Sequence, residues 1–157
     1  MKQFAFAAVA VLALWPGCAS AESWNLNMGD ARGGNVLSAM PDEPESDTDL
    51  WLMCRKDGRF SVGVGANSTL GKGKDEAVSA TLSSADKIAV LKGVSRKSIN
   101  FEMTGGNELA TIVSKDDPLF VVIATGKPIK MSSTSKTMTF DSGDAPKLLG
   151  KFIASCK

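Results

Sequence analysis

Hydrophobic and polar residues alternate along much of this chain, in short runs separated by glycine, asparagine, aspartate or serine. This period of two is typical of antiparallel β-strands, because successive side chains of a strand point to opposite faces of a sheet. The predicted strands cover residues 24–28, 36–40, 50–55, 60–66, 77–82, 87–94, 99–103, 109–113, 129–132 and 136–140.

The clearest predicted hairpin joins residues 50–55 to residues 60–66 through Asp57-Gly58, the pair favoured in a two-residue turn. Because glycines weaken a strand, the face that carries Gly63 and Gly65 is expected to be covered closely by another element. A turn centred on Asp57-Gly58 places six residues on that glycine face: Leu50, Leu52, Cys54, Ser61, Gly63 and Gly65.

The C-terminal segment has helical spacing, with apolar residues three and four apart from about residue 145 to residue 154. Asp144 precedes this stretch as a candidate N-cap, and Pro146 is tolerated in the first turn. Cys156 at its end must reach Cys54, so this helix is predicted to cover the glycine face of the hairpin.

Residues 119–125 allow two interpretations. Val121-Val122-Ile123 favours a strand, whereas Asp116-Asp117-Pro118 before the segment and Gly126 after it favour a short helix. We predict the helix, with the two aspartates at its start. The fold class that follows is mainly β: an antiparallel sandwich or partial barrel, closed by a C-terminal α-helix, in a single domain over residues 22–157.

The first 21 residues are typical of a signal peptide. Met1-Lys2 begins the chain, residues 4–14 are apolar, and Ala19-Ser20-Ala21 forms a small-x-small site that predicts cleavage between Ala21 and Glu22. The apolar run is shorter than the roughly 20 residues that span a bilayer. The alternative is a lipoprotein anchored through Cys18, which Trp15 and Pro16 disfavour. We therefore expect a periplasmic or secreted protein of a Gram-negative bacterium.

Cleavage removes one of the three cysteines and leaves Cys54 and Cys156. Two cysteines in an oxidising compartment predict a disulfide, although two buried free thiols are the alternative. The bond would close a loop of about 100 residues, for which chain-entropy arguments give roughly 4–5 kcal/mol of stabilisation.

Charge and composition exclude several classes of function. Cleavage of the predicted signal peptide removes Lys2 and leaves 17 basic and 17 acidic residues. Because the charges balance and the basic residues are scattered, we expect no nucleic-acid partner. The chain has no histidine and no tyrosine. Histidine-based catalysis and typical zinc sites are therefore excluded, and we predict no catalytic residue, no metal and no cofactor.

Four motifs suggest chemistry weakly. Residues 65–72 resemble a phosphate-binding loop with the wrong spacing. Two Ser-x-x-Lys matches, at Ser84–Lys87 and Ser133–Lys136, fall in predicted turns instead of at helix starts. The acidic residues 41–49 are predicted to form a solvated loop, with a calcium site as the weaker alternative.

Recognition surfaces are expected on the connections, since exposed loops on a rigid sheet make most contacts. The loops at residues 67–76 and 104–108 are the predicted candidates. Trp24 and Trp51 are interpreted as core aromatics, with binding anchors as the alternative.

The C-terminal third resembles the invasion-associated locus B family of small exported envelope proteins. The resemblance covers about 45 residues and rests on Asp117-Pro118-Leu119-Phe120, Ala124-Thr125-Gly126-Lys127-Pro128-Ile129-Lys130, Phe140-Asp141 and Leu148-Leu149-Gly150-Lys151-Phe152. It implies an antiparallel β domain with a closing helix, and a non-enzymatic periplasmic or surface role in envelope function or host interaction.

Three hypotheses for function follow. We favour a non-catalytic binding or accessory protein that meets another protein of the envelope or host. A secreted inhibitor of a hydrolase such as lysozyme or a protease is the alternative, and a Ser-Lys hydrolase is the third.

Overall fold

The computed structural model describes residues 23–29, 34–40, 46–134 and 136–156. The predicted signal peptide, Cys18 and the Ala21–Glu22 junction lie outside them, as do residues 41–45 of the acidic segment. The described chain forms nine strands: β1 (Ser23–Asn27), β2 (Val36–Met40), β3 (Leu50–Cys54), β4 (Phe60–Val64), β5 (Ala77–Ser84), β6 (Lys87–Lys97), β7 (Asn107–Val113), β8 (Ile129–Ser132) and β9 (Thr137–Phe140).

All nine strands belong to one antiparallel sheet with the order β1-β2-β3-β4-β7-β6-β5-β8-β9. The sheet curls into a half-barrel. Its two ends meet where the indole Nε1 of Trp24 on β1 donates a hydrogen bond of 2.9 Å to the main-chain oxygen of Asp141, just after β9. The predicted class, a curled antiparallel sheet, is confirmed.

Three α-helices and one 3-10 turn complete the described secondary structure: α1 (Phe101–Thr104), α2 (Pro118–Ile123), α3 (Ala145–Ser155) and the 3-10 turn Ala66–Ser68. The prediction of a helix at 119–125 is confirmed, and Asp117 caps it by accepting a hydrogen bond from the Leu119 amide. α3 begins after Asp144, as predicted, although the Asp144 side chain makes no capping hydrogen bond.

The core lies on the concave face of the sheet, where α2 and α3 supply the side chains that fill it. The ring of Phe60 on β4 packs edge-on against Phe120 of α2, with centroids 4.9 Å apart, and against Phe152 of α3 at 5.6 Å. Each of the three aromatic side chains is at most 6% exposed.

The disulfide predicted between Cys54 and Cys156 is confirmed, with Cα atoms 5.5 Å apart and 102 residues of sequence separation. It joins the end of β3 to the residue after α3. Asn35 strengthens the same junction, because its side-chain amide donates to the Ser155 hydroxyl at 2.8 Å and to the Ser155 carbonyl at 3.2 Å.

The predicted register of the β3–β4 hairpin is wrong by one residue. Cys54 lies opposite Phe60, and Arg55 instead pairs with Arg59 across a three-residue loop. Gly58 takes the left-handed conformation with φ 74°, which this longer loop requires. Asp57 accepts hydrogen bonds from the Arg59 guanidinium, and that interaction lowers the pKa of Asp57 to about 2.

The register error also reverses the face that carries Gly63. Cys54 lies on the concave face with α3, whereas Gly63 points to the convex face opposite Trp51. The indole of Trp51 lies across Gly63 and donates 2.7 Å to a carboxylate oxygen of Glu108 on β7. The close approach predicted at the glycine is therefore made by Trp51 and not by the C-terminal helix.

The strand predicted over 99–103 is also wrong. This segment forms α1, closed by Gly105 in the left-handed conformation with φ 69°. Its alternating apolar residues do not mark a buried face, since Met103 is 77% exposed and Ile99 is 43% exposed. The strand that pairs with β7 on this side is β6.

We predict opposite effects from an added methyl group at two glycines. In Gly63→Ala the new Cβ would overlap the Trp51 indole and lie 2.7 Å from Glu108 Oε2, so we expect a loss of about 1–3 kcal/mol of unfolding free energy. In Gly150→Ala, on α3, the new Cβ would have no atom within 4 Å apart from its own helix backbone. The unfolding free energy of this variant should rise by about 0.5–1 kcal/mol. Urea unfolding measures both, and equal effects would contradict the packing of Trp51 on Gly63.

Candidate functional site

A cleft of ≈ 660 Å³ lies beside the first half of β5. The first half of β5 and the adjoining part of β6 form one wall, the loop after β4 forms a second, and the β8–β9 turn forms a third. The lining residues are 69–72, 77–79, 92–93 and 133–134. The predicted loop 67–76 therefore contributes to this cleft.

The wall formed by β5 is an incompletely paired strand. β5 pairs with β6 along all of Ala77–Ser84, whereas β8 pairs only with Thr81, Leu82 and Ser83. Residues 77–80 thus have a neighbouring strand on one side and the cleft on the other. A sheet edge of this kind presents main-chain donors and acceptors to whatever enters.

The loop wall is held by one buried serine. Ser95 on β6 is fully buried, and its hydroxyl donates 2.6 Å to the carbonyl of Leu70 while accepting 2.8 Å from the amide of Gly73. The Leu70 amide donates 2.8 Å to the carbonyl of Asn107, and the Leu70 side chain is buried in the core. Hydrogen bonds therefore fix the main chain of the loop, and core packing fixes the Leu70 side chain.

The backbone of this loop turns through the left-handed region several times. Gly71 and Gly73 have φ of 79° and 68°, which glycine adopts without strain. Thr69 has φ 50°, a conformation that costs a non-glycine residue of order 1–3 kcal/mol. The surrounding hydrogen bonds have to offset that strain, and such strained positions concentrate at binding surfaces.

The Glu76 carboxylate holds residues 72–74 of the loop through hydrogen bonds. It accepts hydrogen bonds from the main-chain amides of Lys72 and, at 3.0 Å, of Lys74. The amide of Lys72 is the largest cause of a pKa for Glu76 below the ordinary value of 4.5. The ionised carboxylate is thus the form that holds the loop.

The cleft combines small and apolar surface with positive charge. Lys72 and Lys92 supply the two charged side chains among the described lining residues, and none of those residues is acidic. Leu70, Ala77 and Val78 supply apolar surface, and four lining residues carry hydroxyl groups. The arrangement suits a ligand that is partly apolar and carries negative charge.

A second depression, of ≈ 340 Å³, lies on the convex face beside Trp51. Its two arginines already have acidic partners: Arg55 pairs with Asp57 at 3.4 Å, and Arg96 pairs with Asp75 at 2.8 Å. The larger cleft beside β5 is therefore the better candidate site.

The acidic segment differs from its prediction. Asp47 and Asp49 are 1% and 2% exposed, so this part of the segment is not a solvated loop. Asn67 connects the two residues by donating to the Asp47 carbonyl at 2.6 Å and to the Asp49 carboxylate at 3.0 Å. The Asp47 carboxylate also accepts hydrogen bonds from Ser98, at 2.6 Å, and from Thr104. This network anchors the base of the cleft loop.

The described residues contain no group of three or more histidine, cysteine, aspartate or glutamate side chains that could hold a metal. The calcium alternative for residues 41–49 thus has no support from Asp47 and Asp49.

The second predicted recognition loop, 104–108, is mostly internal. Gly106, Asn107 and Glu108 are buried, and the latter two residues hold the Leu70 amide and the Trp51 indole. The prediction of an exposed recognition loop over 104–108 is therefore wrong for residues 106–108. The segment instead supports the cleft from behind.

Neither Ser-x-x-Lys match has the geometry of a nucleophile and its base. The buried Ser84 hydroxyl lies 2.6 Å from the Thr125 hydroxyl and donates to the Lys127 carbonyl, while Lys87 pairs with Asp86. The Ser133 hydroxyl bonds to main-chain atoms of Lys136 and thereby closes the β8–β9 turn. Residues 65–72 form a 3-10 turn and a loop before β5, not a loop before a phosphate-binding helix.

The two tryptophans among the described residues have structural roles. Trp24 is 8% exposed and belongs to the core cluster, and Trp51 covers Gly63 on the convex face. The interpretation of Trp24 as a core aromatic is thus confirmed, whereas Trp51 stabilises the outside of the sheet.

Comparisons with other proteins add no assignment. No protein-family model matches this chain, and searches of curated proteins and of solved structures likewise returned no match. Within the described residues, every helix is too short or too polar to cross a bilayer.

We predict that Ser95→Ala loosens the cleft loop. The change leaves the Leu70 carbonyl and the Gly73 amide without their buried partner, so the unfolding free energy should fall by about 1–3 kcal/mol. Amide exchange at Gly73 should accelerate. Ser79→Ala, at an exposed position of β5, is the matched control and should change stability by less than about 0.5 kcal/mol.

The same loop should respond to acid. Because the folded state lowers the pKa of Glu76 below 4.5, its stabilising contribution is complete above pH 4.5 and disappears as the pH falls through the lowered pKa. Amide exchange of Lys72 and Lys74, corrected for intrinsic rates, should rise over that range. Glu76→Gln should abolish the pH dependence, and an unchanged profile in that variant would contradict the assignment.

Proposed function

We propose that this protein is a non-catalytic binding or accessory protein of the bacterial envelope, working in the periplasm or after secretion. The observation that carries the proposal is the cleft beside β5, which combines an unpaired sheet edge, apolar surface and two lysines. Clefts of about 300–1,000 Å³ are typical of binding sites, and this one falls within that range.

The proposed compartment is supported by two independent features. Residues 1–21 have the pattern of a signal peptide, and the Cys54–Cys156 disulfide is of a kind that persists in oxidising compartments. The resemblance to the invasion-associated locus B family supports the same location and the same kind of role.

The chemistry of the residues supports binding over catalysis. The chain lacks histidine and tyrosine, both cysteines of the described part are joined in the disulfide, and the two serine–lysine pairs serve turns and the core. The charged groups at the cleft are lysines, which attract an anionic partner but do not supply a nucleophile–base pair by themselves.

A co-purification from the envelope of a Gram-negative host tests the proposal. We expect the intact mass of the recovered protein to correspond to a chain that begins at Glu22. We also expect a partner that co-purifies with this protein and is lost in the variant Lys72→Glu/Lys92→Glu. The control is Lys147→Glu/Lys151→Glu, which makes the same change of charge on the exposed surface of α3. Equal recovery of the partner from both variants would argue against the cleft, and an unprocessed cytoplasmic protein would argue against export.

A hydrolase inhibitor is the second candidate, and the rigid cleft loop favours it. Residues 69–75 are held by Ser95 and Glu76, and inhibitors that bind without rearrangement lose little entropy on binding. Inhibition of a lysozyme or protease panel that is weakened in Ser95→Ala would support this role. Absence of inhibition across the panel would remove it.

A further inference from the structure

We infer that the cleft receives an extended, acidic peptide segment of the partner, which adds as a strand to residues 77–80 of β5. The inference rests on the proposed binding function and specifies the partner's chemistry and its mode of binding.

Among the described residues, none makes a main-chain hydrogen bond to the first half of β5 on the side away from β6. Along an antiparallel strand the N–H and C=O groups of successive residues point alternately to the two sides. Residues 77–80 are paired with β6 only, so two of these four residues direct both groups to the cleft. Among the described residues, neither the 69–72 loop nor the 133–134 turn makes a main-chain hydrogen bond to them.

An unpaired edge inside a cleft selects for an extended ligand. Edge strands are usually protected by charge, proline, bulges or covering segments. Residues 77–80 contain no proline and no charged side chain, although they lie between two walls that leave space for another chain. Four residues of strand span about 13 Å, which suits the addition of a short peptide strand.

The lining side chains specify the ligand's sequence pattern. Ala77 and Ser79 are small, so the ligand's own side chains have room against this wall. Val78 is half-buried and offers apolar contact. Lys92 is the cross-strand partner of Ser79, and Lys72 projects from the opposite loop. A strand with apolar residues on one face and acidic residues on the other satisfies both surfaces.

Peptides with alternate N-methylation provide the test. The probe is an eight-residue peptide of alternating valine and glutamate, acetylated and amidated, and it is titrated into the full mature protein labelled with ¹⁵N. We expect amide shifts and slowed exchange at two of residues 77–80. Methylating the amides of alternate residues removes the donors along one edge of the peptide, so one of the two methylated versions should bind and the other should fail.

Charge and competing occupants are tested with the same readout. Lys72→Glu/Lys92→Glu should weaken the valine–glutamate peptide about tenfold, because two attractive contacts become repulsive. Lys147→Glu/Lys151→Glu should leave its affinity unchanged. A valine–lysine peptide should bind more weakly than the acidic one.

Several results would overturn the inference. They are equal loss of binding in both methylated peptides, equal retention in both, or shifts at Lys72 and Lys92 without protection of residues 77–80. A dimer of the free protein that already protects these amides would assign the edge to a second copy. If an envelope partner depends on the two lysines while the peptide results fail, strand addition is wrong and the binding function stands.

Discussion

A curled sheet of nine strands has a concave face that has to be kept from water, and the rest of this structure depends on how that face is filled. Phe60 lies at the centre of the filling, between Phe120 of α2 and Phe152 of α3. Large aromatic side chains contribute most to such a core because each buries a large apolar area. The disulfide tethers the C-terminal end of α3 to the end of β3, which keeps the helix close to the sheet.

The cleft is a consequence of where this filling stops. β8 follows α2 and pairs with residues 81–83 of β5, whereas β9 pairs with β8. Among the described residues, the first half of β5 therefore has no partner strand on this side. The loop on the other side is pinned by Ser95, Glu76 and the network around Asp47. The site therefore has rigid walls around an unpaired strand edge. A preorganised site of this kind limits the entropy lost when a ligand binds.

Buried polar groups give the loop walls their fixed positions. The buried Asp47 and Ser98, together with the more exposed Asn67, connect three segments that are distant in the sequence. A hydrogen bond between neutral groups contributes only about 1 kcal/mol net, but a buried polar group deprived of its partner costs more. Such a network therefore specifies one arrangement of the loops more strongly than it adds to overall stability. The same reasoning applies to Trp51, whose indole joins β3 to Glu108 on β7 across Gly63.

The sequence by itself determined the strand and helix segments that have local signals, the pairing of Cys54 with Cys156, and the lack of histidine chemistry. Period-two alternation, Asp117-Pro118 and the apolar spacing of α3 act over a few residues, so they can be interpreted without the fold. The tertiary structure decided the β3–β4 register. Asp57-Gly58 is compatible with a two-residue or a three-residue loop, and the main-chain hydrogen bond from Arg55 to Arg59 belongs to the longer loop. It also decided that Asp47 is buried and that half of β5 is free. Both depend on which distant segments meet, and, apart from the two cysteines, the residue types here give no signal of that.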